Sequence, residues 1–246
     1  MKKSILFLSL ICGACTAPQD TLLEQVDRLS TSTQNDFYVS NRAPLQPQQF
    51  IKLPAGTIQP EGWLKQQLEL QKEGLNGHLG EISAWLQKKD NAWLETGGQW
   101  GWEEVPYWLR GYANLAYIVE DNQMLNEAKF WIEGILKSQR EDGNFGPMHL
   151  NDGKQDFWPN MIVLWIMQSY YEYSNDERII DFMTKYCNYL LTVPDEDFLY
   201  SYWENSRGGD NLWSVVWLYN HTGDKNLLTL GEKIHKNTAD WTKSTQ

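Results

Sequence analysis

Residues 105–137 read VPYWLRGYANLAYIVEDNQMLNEAKFWIEGILK. The first half, up to Val119, is apolar on most of its circumference, the pattern of a helix covered on nearly every side. Asp121 then falls at a turn, with Met124 and Leu125 three and four residues further on. That spacing fits an N-cap aspartate opening an amphipathic helix. The second half keeps its apolar residues on one stripe. The stretch therefore predicts an αα-hairpin, an inner helix turning sharply into an outer one.

The same pattern recurs twice. Asp176–Ile179–Ile180 and Asp224–Leu227–Leu228 repeat the turn, at intervals of 55 and 48 residues. NMIVLWIMQSYYEY (160–173) and NLWSVVWLYN (211–220) precede these turns as aromatic-rich apolar helices, and RIIDFMTKYCNYLL (178–191) and NLLTLGEKIHK (226–236) follow as one-sided helices. A period near fifty residues marks a repeat architecture. The expected class is all-α, with αα-hairpins forming part of an (α/α)6 toroid. A superhelix of longer repeats is the competing architecture. Upstream, PEGWLKQQLELQKEGLNG (60–77) predicts one more helix, begun by Pro60 and ended by Gly74 and Gly77.

Composition limits the function classes. With 21 basic and 32 acidic side chains the net charge is −11, which speaks against a partner tracked through its phosphates, so no nucleic acid is expected. Thirteen tryptophans in 246 residues imply thick helix packing, aromatic platforms for a ligand, or both. No Walker loop, HExxH, GxSxG or CxxC pattern occurs.

The first twenty residues, MKKSILFLSLICGACTAPQD, place two lysines before a short apolar run and small residues before Cys15. This resembles a bacterial lipoprotein signal, with Cys15 as the lipidated residue; an ordinary secretory peptide is the alternative. The expected organisation is a signal peptide over 1–14, a lipoprotein tether and extended segment over 15–49, and a partial toroid over 50–246. Such a protein is exported, periplasmic or attached to the outer membrane, and meets a membrane only through its lipid. Cys187 then remains as a lone thiol on a helical stretch, expected to be a small buried apolar residue.

In a hairpin toroid the loops that lead into the inner helices share one face. Here they are ETGGQWGWEEVPYW, REDGNFGPMHLNDGKQDFWPN and VPDEDFLYSYWENSRGGDNLW, long, Gly-containing and loaded with Trp and carboxylates. The turns at the opposite end are short. Indole faces beside carboxylates and amides suit a sugar, whose C–H face stacks while its hydroxyls find donors and acceptors. Trp102, Trp158 and Trp203 are the candidate platforms, with Trp100 a fourth. Glu103 and Glu104 either cap an inner helix or bind hydroxyls. Asp142 and Asn144 read as turn formers, and His149 could bond a hydroxyl or titrate near neutrality. Asp210, in the polar run Arg207–Asn211 expected to open the third inner helix, is either an N-cap or a substrate ligand. A pair of carboxylates would suffice for most glycoside hydrolysis, and no pair stands out.

The segments 98–147 and 210–224, with EEVPYWLRG (103–111), SQREDGNFGP (138–147) and LYNHTGD (218–224) as their best markers, resemble the β-L-arabinofuranosidase-like glycoside hydrolases of family 127. The resemblance runs from about Asn41 to the C-terminus. It implies an (α/α)6 toroid followed by β-sandwich domains, acting on arabinofuranose-type residues of plant oligosaccharides or polysaccharides. It also implies a cysteine thiolate attacking the anomeric carbon, a glutamic acid protonating the leaving group, and zinc held by cysteines and a carboxylate. Those residues belong to the second half of the toroid, and this chain has no cysteine cluster, so no catalytic residue carries over. No metal or cofactor is expected in this chain, and zinc only in a full-length member. Some members place His at the starts of the second and third inner helices, where Trp158 and Asp210 stand here.

Six hairpins at this period require ~300 residues, whereas three clear hairpins and the helix at Pro60 are present. The expectation is the N-terminal portion of an exported hydrolase, supplying part of the sugar-binding face and lacking catalysis alone. A non-catalytic glycan-binding lipoprotein is one alternative. Another (α/α)6 enzyme, an unsaturated uronyl hydrolase or an epimerase, is another.

Overall fold

In the computed structural model, which describes residues 40–48, 50–148 and 150–243, the three repeat aspartates sit at three hairpin turns. The chain order is α1 (Gly62–Glu73), α2 (Leu75–Ile82), a 3-10 turn (Ala84–Leu86), α3 (Glu104–Val119), α4 (Asn122–Lys137), a two-residue ribbon of β1 (Leu150–Asn151) and β2 (Lys154–Gln155), α5 (Trp158–Ser174), α6 (Arg178–Thr192), α7 (Tyr202–Thr222) and α8 (Asn226–Asn237). The pairs α3–α4, α5–α6 and α7–α8 are the hairpins, and the all-α expectation holds. No described helix is long and apolar enough to cross a membrane.

Each turn is built alike. The residue that ends the inner helix takes the left-handed conformation: Glu120 (φ 52°), Asn175 (φ 54°) and Gly223 (φ 73°). The next residue is the repeat aspartate, whose Oδ1 accepts the backbone N–H two residues on, from Gln123, Arg178 and Asn226 respectively. The left-handed residue reverses the chain, and the carboxylate takes up a free amide in the first turn of the outer helix. Asp121 is the N-cap of α4 as expected, whereas Asp176 and Asp224 stand one position before the N-caps Glu177 and Lys225. Three and four residues beyond the aspartates, Met124, Ile179 and Leu227 are buried and Leu125, Ile180 and Leu228 pack against the core.

The inner helices α3, α5 and α7 stand side by side, α5 in the middle, while α4, α6 and α8 form the outer layer. Helix α5 buries residues 158–164 without a break, whereas the outer helices bury one stripe each. Across the inner layer, Gln168 donates to the Ser214 hydroxyl at 2.6 Å in a buried bond. Cys187 is buried within α6, as its apolar surroundings in sequence suggested.

A strap closes the turn end of the inner layer. Arg42 donates to the side chain and carbonyl of Asn220 near the end of α7, Lys52 pairs with Glu172 in the last turn of α5 at 3.1 Å, and Gly56 lies against the Tyr117 carbonyl of α3. Arg42, Lys52 and Gly56 thus meet the bases of the three inner helices in reverse order.

Three details correct the sequence reading. Gly77 does not end the helix begun after Pro60. The break falls at Gly74, and Gly77 lies inside α2. A strand pair exists where none was expected, since Asp152 (φ 50°) and Gly153 (φ 80°) form the tight reversal that an Asp-Gly pair favours. Helix α7 begins at Tyr202, so Arg207–Asn211 lies inside it rather than opening it, and Asp210 is no N-cap. The reason is a capping box. Ser201 Oγ accepts the Glu204 N–H while Glu204 accepts the Ser201 N–H, which starts the helix a turn and a half before the glycines. Gly208 is there because a Cβ would meet the Thr238 hydroxyl.

Candidate sugar-binding wall

The loops at the open end are held from beneath by aromatic packing. The Trp93 indole N–H donates to the carbonyls of Gly101 (2.9 Å) and Trp102 (3.1 Å), and Gly146 (φ 69°) approaches the Trp93 ring too closely for any side chain. Asn144 accepts the Phe145 N–H and donates to Gln155, and Asp142 accepts the Asn144 N–H, so both act as turn residues, as expected. Between these loops lies a cavity of about 720 Å³ lined by Trp102, Gln99, Lys137 and Arg140 among others.

The start of α5 is fixed to α7 by one carboxylate. Glu204, 1% exposed, accepts the Phe157 N–H at 2.6 Å. Burial pushes its carboxyl above the ordinary glutamate value, against the opposing pull of the amides that bond it.

Along the inner helices, chemistry-bearing side chains recur at intervals of seven, two turns apart and on one face. Glu103 immediately precedes α3 and Arg110 lies on it, Trp158, Trp165 and Glu172 lie on α5, and Trp203, Asp210 and Trp217 on α7. The contacts between helices follow those tiers. At the loop end, the Trp158 indole donates to Glu103 at 3.2 Å, and the Arg207 guanidinium lies 4.2 Å over the Trp158 ring and 4.7 Å over the Trp203 ring. Two turns deeper, the Arg110 guanidinium lies 3.8 Å over Trp165, whose N–H donates to the Asp210 carbonyl at 3.2 Å. At the base, Glu172 accepts from the Trp217 indole and from Lys52.

The middle tier opens into a cavity of about 560 Å³, lined by Arg110, Asn114, Trp165, Gln168, Asp210 and Trp213, with Lys52 at its floor. Burial raises the Asp210 carboxyl above the usual aspartate value, opposed by the nearby Arg110 and Arg207 charges. Burial likewise lowers Arg110, opposed first by Asp210. The result is a half-buried carboxylate, guanidinium and two amides set among indoles, donors and acceptors at short range from a stacking surface. Such a lining can hold a sugar ring by its apolar face and its hydroxyls together.

Of the residues singled out from sequence, Glu103, Trp158, Trp203 and Asp210 come together on this wall. Trp158 is corrected in role: it is 5% exposed and covered by Arg207, so it braces the wall rather than offering an open platform. Trp203, 55% exposed, remains open. Trp102 belongs to the separate cavity between the loops, and Glu104 occupies the first turn of α3. His149 and Cys15 lie outside the described residues. Sequence reasoning passed over Arg110, Trp165, Trp213 and Glu204. Their signals were present, as a lone charge within an apolar helix, a spacing of seven, and the Ser201-x-x-Glu204 box.

The zinc that the resemblance attaches to a full-length member finds no fit here. Among the described residues no group of three or more His, Cys, Asp or Glu is placed to hold a metal. Cys187 lies in the core with its thiol pushed up to about 12 by burial, the opposite of an activated nucleophile.

The family model described as beta-L-arabinofuranosidase, GH127 catalytic domain, matches residues 23–246. No curated protein matches the chain, and no solved structure does. The match covers the strap, every described helix and the wall they form, and it joins the hairpin repeat to the markers at 103–111, 138–147 and 218–224: this chain belongs to the β-L-arabinofuranosidase-like glycoside hydrolases of family 127.

Proposed function

We propose that this chain comes from an exported glycoside hydrolase acting on arabinofuranose-type residues of plant glycans, and that it supplies part of the wall on which the sugar is held. The observation that carries this is the middle-tier cavity, where Asp210, Arg110 and the Asn114 and Gln168 amides surround the Trp165 and Trp213 indoles in a member of an arabinofuranosidase family. Stacking and multiple weak hydrogen bonds give such a wall affinity, while Cys187, the cysteine among the described residues, is buried and kept protonated. Export follows from the leader pattern ending at Cys15, which a lipid would anchor to a membrane.

Calorimetric titration of the chain with an arabinofuranosyl oligosaccharide tests the binding role. Saturable binding that Trp213→Ala weakens supports it, and failure to bind any arabinofuranosyl oligosaccharide overturns it. Turnover of an aryl β-L-arabinofuranoside by the purified chain would overturn the purely binding role. Incorporation of labelled palmitate, lost in Cys15→Ser, tests the anchor.

A further inference from the structure

The arginines among the described residues fall into two groups. Arg42 donates to the Asn220 carbonyl, Arg140 to the Gly146 carbonyl, and Arg178 forks onto Asp176 and Glu133. Arg110 and Arg207, the two that face the wall, have no hydrogen-bond acceptor among the described residues. Both lie over indoles instead, Arg110 on Trp165 and Arg207 on Trp158 and Trp203. A guanidinium held over a ring by cation–π attraction is kept in place without spending its N–H donors, which remain free to meet a ligand.

The acceptors nearby are largely committed. Glu103 takes the Trp158 N–H, and both oxygens of Glu172 are filled by Trp217 and Lys52. Asp210 lies near both guanidiniums and offsets part of their charge. Its carboxylate hydrogen-bonds neither of them, so both planar donor forks stay open to a ligand. A hydroxyl meets one N–H at a time, whereas a carboxylate meets two in parallel and carries charge as well. The chain as a whole is acidic, at −11, so this local preference is not a by-product of a basic surface.

Building on the proposed sugar-binding role, we infer that Arg110 and Arg207 form a subsite for a carboxylate-bearing sugar, so that the glycan held on this wall presents an acidic residue, of the uronate class, next to its arabinofuranose. The carboxylate lies against the guanidinium edges while its ring stacks on the exposed faces of Trp203 or Trp213.

The test uses three probes titrated against the 246-residue chain: an arabinofuranosyl oligosaccharide bearing a uronate, the same compound with its carboxyl reduced to a primary alcohol, and a neutral arabino-oligosaccharide. The acidic probe is expected to bind about tenfold more tightly than its reduced form, the factor of one charge-assisted contact. Added salt narrows that gap. Arg110→Gln and Arg207→Gln each shrink it by costing the acidic probe more than the reduced one, with near-ultraviolet circular dichroism confirming the fold. Equal affinity for the acidic and reduced probes overturns the inference and leaves the sugar-binding role standing. A variant that weakens both probes alike also overturns it. Failure of all three probes to bind overturns the sugar-binding role itself.

Discussion

The carboxylate of Glu204 on α7 accepts the backbone N–H of Phe157, the residue that precedes α5, at 2.6 Å. The same side chain accepts the Ser201 N–H, so one buried group both closes the cap of one inner helix and sets the start of its neighbour. Trp158 and Arg207, which meet at the loop end of the wall, stand on the two helices thus joined.

Glu204→Ala leaves the Phe157 and Ser201 amides buried without an acceptor, at about 1–3 kcal/mol for each such group. The expected loss in chemical denaturation is therefore at least 2 kcal/mol by that same reckoning, with Glu204→Gln intermediate. A loss within experimental error for the alanine variant would show that the bond does not hold the two helices. The pH dependence has a definite sign. Burial raises the folded-state value, so the folded protein holds this proton more tightly, and stability from this group falls as pH rises from the unfolded value through the folded one. Glu204→Gln removes that decline.

The repeat aspartates should each stabilise the turn they begin. Asp121→Ala removes the N-cap of α4, at about 1 kcal/mol, while Asp176→Ala and Asp224→Ala each free the first amide of an outer helix. Asp176→Ala also loses the Arg178 fork. Asp→Asn keeps the acceptor and most of the stability. Urea midpoints of the three pairs check this, and an Asn variant as damaging as its Ala partner would contradict it.

Acid should act through α6. Arg178 holds Asp176 and Glu133 below their ordinary values, its hydrogen bonds being the first cause for each. Their stabilisation is present above the unfolded values and is lost as pH falls through the folded ones. Melting temperature followed from pH 6 downward should therefore drop, and Arg178→Met should flatten that drop. An unchanged slope would remove the pair from the account.

The face formed by α1 and α2 should drive association. Neither helix buries a residue, and Trp63 (75% exposed) and Ile82 (71%) stand open with Leu70 and Leu75. An apolar surface of this kind favours self-contact. Sedimentation should show concentration-dependent mass, reduced in a Trp63→Gln, Leu70→Gln double variant. A monomer at all concentrations would contradict this.

The hairpins were legible because their signals are local: an aspartate, two apolar residues at three and four, and a change from all-round to one-sided helix. The start of α7 was misread because Gly208 and Gly209 look like a loop. Only the neighbour Thr238 explains why one of them is a glycine inside a helix. The wall was half legible. Glu103, Trp158, Trp203 and Asp210 were found through the aromatic and acidic character of their segments. The burial of Trp158 beneath Arg207 depends on two helices meeting side by side, and no window of sequence contains both. The strap had no local signal at all, since Arg42 and Asn220 are separated by 178 positions.

That separation has a consequence for the order in which the molecule is assembled. Each hairpin closes through contacts a few residues apart and can form as soon as it leaves the ribosome. The strap is made before any of them, yet its partner Asn220 stands on the third inner helix, 178 residues later. Residues 42–56 therefore wait, unpaired at that end, until the third inner helix is complete. The Arg42–Asn220 contact can form only once α7 has been made, and it ties the segment ahead of the first described hairpin to the third.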